Sequence, residues 1–179
     1  MSHVLVLLLG LALGALAVVG VLAWRRGRQR LAPSPGRIVF PFAGSALSAP
    51  ALDAALRLAQ AEHATLVPVY LATVPRHLAL DAPLPRQAGA AMPLLEAIEL
   101  RASRNGVVSD ARIERGRTLR HAMSEVISHE HCERIVVPAA RRGEDGFSAA
   151  DIAWLLEHAD EEVVVLQPAR TAAPAAADQ

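Results

Sequence analysis

The sequence predicts an α/β fold: a Rossmann-like parallel five-stranded sheet behind one N-terminal transmembrane helix. Three observations predict it. An uncharged run opens the chain, strand-like and helix-like segments alternate from Arg37 to Pro168, and cap or turn residues stand at most of the junctions between them.

The uncharged run is Val4 to Ala23, VLVLLLGLALGALAVVGVLA. At 1.5 Å per residue it matches the ~30 Å hydrocarbon core of a bilayer. A cleaved signal peptide would want a basic leader and a shorter apolar core, and here only MSH precedes the run. Residues 1–24 are therefore expected to be an uncleaved anchor, with Trp24 at the interface. Arg25, Arg26, Arg28 and Arg30 follow. Positive charge stays on the cytoplasmic side, so the amino terminus is expected outside and the rest in the cytoplasm. The bilayer is the first expected partner. Gly10 and Gly14 form a G-x-x-x-G, which can pair two such helices, although small residues are common in membrane helices anyway. Residues 25–36 read as a basic Pro/Gly linker and 169–179 as a disordered Ala-rich tail, leaving one domain at 37–168.

All eighteen basic residues are arginine. Without lysine there is no Schiff-base residue and no Walker-type lysine. The formal net charge is zero, so no broad nucleic-acid surface is expected. Cys132 is the only cysteine, which excludes an internal disulfide and any multi-cysteine zinc site.

Within the domain, Ile38–Phe42 is a short apolar run suited to a buried strand. Ser48 and Pro50 mark the start of a helix running to about His63, with Leu52, Ala55, Leu56 and Ala59 on one face. Thr65–Ala72 is the second strand, although Pro68 removes a ladder donor. Pro75–Pro93 holds four prolines and reads as a long mobile connection. A helix is expected from Pro93 to Arg104 with Leu94, Leu95, Ile98 and Ala102 inward, ended by Asn105-Gly106. Val107–Arg115 is an exposed edge strand. Thr118 caps a helix whose stripe is Leu119, Ala122, Met123, Val126 and Ile127. Arg134–Ala139 is the fourth strand. Ser148 and Asp151 fit a capping box, with Ile152, Leu155, Leu156 and Ala159 inward, and Glu161–Pro168 is the fifth strand.

In order and wording these segments resemble the universal stress protein family. The likeness is carried by IVFPFAGS (38–45), ALRLAQAEHATLVPVYLATVP (55–75), VVSDARIERG (107–116), IVVPAARRG (135–143) and LLEHADEEVVVLQP (155–168). The resemblance implies strand order 3-2-1-4-5. It also implies a nucleotide site built by an acidic residue after strand one and by a G-x-x-G, nine residues, G-[ST] loop after strand four. Glycine suits such a loop because backbone must approach phosphate closely at positive φ. Here the acid's position holds Ala43. Gly143 and Gly146 form a G-x-x-G, but after nine further residues stand Leu156 and Glu157. Glu144 and Asp145 add repulsion to phosphate, while Arg141 and Arg142 suit it. The residues that would bind a nucleotide, in a degenerate form of the site, are Gly44, Ser45, Arg141, Gly143, Gly146 and Ser148. ATP is thus the one cofactor to consider, and binding in the family manner is not expected.

No catalytic set and no metal site is expected. His129 and His131, at i and i+2, point apart on a helix, and Cys132 begins the next strand's approach. His121 and Glu125, at i and i+4, suit a surface pair. The expected role is a regulatory or interaction module. Family resemblance adds a homodimer through the fifth strand. A protein partner at the membrane fits the same role. The alternative is an adenine-nucleotide sensor with weak ATPase activity.

Overall fold

The computed structural model describes residues 36–44, 47–140 and 146–167. The expected anchor, linker and tail lie outside these residues. No helix among the described residues is long and apolar enough to cross a membrane.

Five strands and four helices alternate: β1 (Arg37–Phe42), α1 (Ala49–Glu62), β2 (Thr65–Thr73), α2 (Pro85–Arg104), β3 (Arg112–Gly116), α3 (Leu119–His129), β4 (Arg134–Pro138), α4 (Ala149–His158) and β5 (Glu162–Leu166). All strand pairs are parallel, in the order β3-β2-β1-β4-β5. This is the sheet and strand order expected. Central β1 and β2 are buried along nearly their whole length, as strands covered on both faces must be. One face is covered by α1 and α2, which pack Leu52, Leu56, Leu95 and Ile98 against Ile38, Phe40 and Leu66. On the other, α3 and α4 bring Met123, Val126 and Leu155 against Val39, Val67 and Ile135.

Four expectations need correction. The connection after β2 ends at Leu84, and α2 runs through Pro93. An internal proline costs about 3 kcal/mol. Yet Ala91, Leu95, Ile98 and Ala102 form one buried stripe that continues across it, and Pro85 starts the helix where its missing donor costs nothing. Likewise, β3 starts at Arg112 rather than Val107, after an isolated bridge between Ser109 and Leu66. Pro68 explains the break. Leu66 donates to Val108 O, and Asp110 donates to Leu66 O, so the even residues of β2 face β3. The donor absent at Pro68 would have met the chain near Asp110, where the ladder fails. Ser48 does stand at the N-cap of α1, but its hydroxyl makes no capping bond. Finally, Leu156 is 58 % exposed, because the short α4 turns only Leu155 fully into the core.

Thr118 and the Ser148–Asp151 pair cap α3 and α4 as expected, and Gly106 leaves α2 at φ 68°.

Candidate functional site

Two prolines open the sheet where a ligand would enter. Glu133 donates to Arg37 O, so the odd residues of β1 face β4; Ala139 donates to Leu166 O, so the even residues of β4 face β1. Pro41 and Pro138 therefore both lack a donor on the shared side. The β1–β4 pairing ends at Val39 with Ile135, and beyond it the two strands have no ladder. This is the point where strand order reverses, the usual ligand crevice of such sheets.

Of the expected site residues, Gly44 follows β1 at φ 79°, a left-handed turn that favours glycine. Ala43 is half-buried and packs on the α3–α4 side of the core. Ser45, Arg141 and Gly143 lie outside the described residues. Gly146, at φ 138°, backs onto Ala140, whose Cβ would stand 3.1 Å from a Cβ built there. Beside it Ala140 donates to Phe147 O at 2.9 Å, and Phe147 is buried among Met123 and Leu155. The loop after β4 is thus closed at its base by a backbone bridge and an aromatic anchor.

Ser148 ends that loop as the N-cap of α4. Its hydroxyl accepts from Asp151 N–H at 3.2 Å and donates to Asp151 Oδ2 at 2.6 Å. Ser148 N–H also donates to Asp151 Oδ2, at 3.2 Å. Arg120 on α3 donates to Asp151 Oδ1 at 2.8 Å. Burial pushes the Asp151 carboxyl up, but the Ser148 hydrogen bonds and Arg120 outweigh it and leave the pKa lowered. The helix N-terminus, a natural anion site, is thus served by its own carboxylate.

On the β2 side, the Gln87 carboxamide bonds both backbone groups of Thr73. Sequence reasoning missed this contact. A glutamine in the first turn of a helix carries no signal of its own, and the helix start was itself misplaced.

At the opposite, amino end of the strands, Arg37 joins Asp110 (2.8 Å) and Glu130 (3.0 Å). Arg112 joins the same two acids. Arg134 bridges Glu62 and Glu162. Cys132 lies close by, its thiol pushed up to about 11, first by burial and then by the Glu161 charge. A thiol so protonated is a poor nucleophile. His121 stands 3.4 Å from Glu125, the surface pair expected. Among the described residues no group of three or more His, Cys, Asp or Glu could hold a metal.

A search of curated protein sequences found no match. Solved structures share the fold. A universal stress protein UspA from Lactobacillus plantarum is similar at TM-score 0.58 and 16 % identity, covering 75 % of this chain and 99 % of its own. A universal stress family protein from Burkholderia pseudomallei is 23 % identical at TM-score 0.51, covering 72 % and 94 %. A third, from Arabidopsis thaliana and carrying AMP, is 13 % identical at TM-score 0.56, covering 79 % and 97 %. The sequence profile of the universal stress protein family matches residues 35–167, the whole sheet with every helix that covers it, and the chain belongs to that family.

Proposed function

We propose that the chain is a regulatory or interaction module held at the cytoplasmic face of a membrane by residues 4–23, and that it does not take ATP in the family manner. The observation that carries the reading is the start of α4. There Ser148 spends its hydroxyl and its N–H on Asp151, and Arg120 is paired with the same carboxylate. A phosphate would have to displace an anion already in place. Ala43, where the family's acid is expected, supports the same reading from the β1 side.

Its partners are the bilayer and a second copy joined through β5, with a further protein at the membrane as the target of regulation; nucleic acid has no place in it. Catalysis is not part of the role.

A second reading, an adenine-nucleotide sensor with at most weak ATPase activity, is favoured by one observation. Gly44 and Gly146 keep the positive φ that lets backbone approach a phosphate. The AMP carried by the Arabidopsis neighbour makes AMP the second probe for this chain.

One experiment separates the two. The full chain is extracted from the membrane fraction with detergent and dialysed to equilibrium against labelled ATP. Retention no higher than that of a protein without a nucleotide site is expected. A micromolar dissociation constant overturns the first reading in favour of the second, and recovery of the chain without detergent overturns the anchor.

A further inference from the structure

The peptide group between Gly116 and Arg117 joins the end of β2 to the start of α3. Its C=O accepts from Val74 N–H at 2.8 Å, and its N–H donates to Nδ1 of His121 at 3.1 Å. The side chain of Arg117 extends this hold to the connection between β2 and α2. Its guanidinium donates to Pro75 O and Leu78 O, each at 2.8 Å, and Arg115 donates to Asp81 O at 2.9 Å. Within the connection, Leu78 and Ala82 donate to Pro75 O and Ala79 O, each at 3.1 Å. Leu78 and Leu80 are exposed on it.

Arginine stays charged throughout the ordinary pH range, so the member of this chain of bonds that changes charge near neutrality is His121. It is the third residue of α3, and its N–H donates to Oγ1 of the N-cap Thr118 at 3.1 Å. A glutamate or glutamine at that position reaches back to the N-cap N–H. His121 reaches one residue further. Nδ1 accepts from Arg117 N–H only while it carries no proton, so the ring is neutral with its hydrogen on Nε2. Nε2 faces Glu125 Oε1 at 3.4 Å. Protonation sets a hydrogen on Nδ1 against the Arg117 donor. It also places positive charge at a helix N-terminus, which the helix dipole opposes.

We propose that His121 is a proton-operated latch on residues 75–84. Neutral, it holds the Gly116–Arg117 peptide and, through Arg117, the connection; protonated, it releases both. The latched form binds one proton fewer at His121 than the released form, so release increases as pH falls. Glu125 lies on α3 itself and attracts the imidazolium in both forms; its other oxygen stands 3.7 Å from His129. Of the elements packed against α3, β2 brings no charged side chain. Next to it, β3 brings Arg112, taken by Asp110 and Glu130, together with Glu114 and Arg115. From α4 come Asp151, taken by Arg120, Glu157, and His158, bonded to Trp154 O. The connection itself brings Arg76, His77 and Asp81. The latch goes beyond the proposed function by giving the module an input of its own, and it depends on neither the anchor nor the crevice.

The test uses the detergent-extracted full chain, His121→Asn and His121→Ala at pH 8 and pH 5, the span over which histidine changes charge. Amide exchange of residues 75–84 is followed by mass spectrometry, as protection relative to the intrinsic rate at each pH. In the unaltered chain protection should fall about threefold or more from pH 8 to pH 5, as loss of one hydrogen bond allows. His121→Asn sets a non-titrating Oδ1 near the place of Nδ1 and should stay protected at both pH values. His121→Ala has no acceptor and should be poorly protected at both. Nitrogen NMR of histidine-labelled chain at pH 8 should show the Nε2–H tautomer for the signal that His121→Asn removes. A fall that persists in His121→Asn would place the sensor elsewhere, with His77 the first to try. The Nδ1–H tautomer would remove the bond, and full protection of His121→Ala would show that the bond holds nothing. Each of these three results overturns the latch and leaves the proposed function standing.

Discussion

Asp110 stands between two guanidinium groups, and its chemistry follows from them. The Arg112 hydrogen bond, then that of Arg37, holds its carboxyl below the ordinary 3.8, outweighing a smaller opposing effect of burial. A folded-state pKa depressed in this way contributes stability that is fully present above the unfolded value. That contribution is lost as pH falls through the folded one. The window is thus below about 4, near the ordinary carboxylate value. In urea titrations the midpoint of Asp110→Asn should lie below that of the unaltered chain at pH 5, and the gap should close as pH falls toward 3. A gap independent of pH would mean that the charge on Asp110 contributes nothing. None of this was legible in advance: Arg37 and Glu130 are 93 residues apart, and only the sheet brings the strand's first residue to the end of α3.

Among the elements, β3 and α3 are joined at Gly116. A Cβ there would stand 2.7 Å from Ala122 Cα and 2.9 Å from its Cβ, closer than real contacts allow. The obstruction is helix backbone, which cannot swing aside as a long side chain would. Gly116→Ala should cost about 1–3 kcal/mol, the usual range for forcing extra carbon into a packed site. A urea midpoint unchanged from the unaltered chain would show that the helix can shift at no cost. The turn was visible in the sequence as a glycine before a capped helix, but the closeness of Ala122 was not. The same division holds elsewhere. Ala91, Leu95, Ile98 and Ala102 carry the helical period through Pro93, so that stripe was present in the sequence. The prolines of this segment argue locally against a helix, and burial of the stripe overrides that local preference. Leu156 was misplaced for the converse reason. Its apolar character suits an inner face, yet a ten-residue helix over a five-residue edge strand has too little sheet beneath it to cover both leucines.

For the whole molecule, the exposed margins of the sheet decide what it can join. β5 pairs only with β4 among the described residues, and Val165 on it is 39 % exposed. An apolar strand with open backbone groups is a natural surface for a second copy. β3, the other margin, carries Arg112, Glu114 and Arg115, charges that discourage such pairing. In light scattering the detergent-extracted full chain should have twice the protein mass of its Val165→Arg variant. Equal masses for the two would remove β5 from the assembly.

The alternation of five strands with helices was determined by the sequence alone, because apolar period and caps are properties of consecutive residues. So were the missing donors at Pro41 and Pro138 and the lack of an acid at Ala43. Tertiary structure alone decided what those features meet. Two donorless positions became an opening because register sets them on facing sides of β1 and β4. Asp151, paired with Ser148 by a local capping box, gained Arg120 because packing brings α3 beside α4. Gln87 closed on Thr73 because the end of β3 ties down the chain between them. Backbone donors and hydrophobic period are encoded where they occur, whereas the partner of a side chain depends on which distant segment the packing brings beside it.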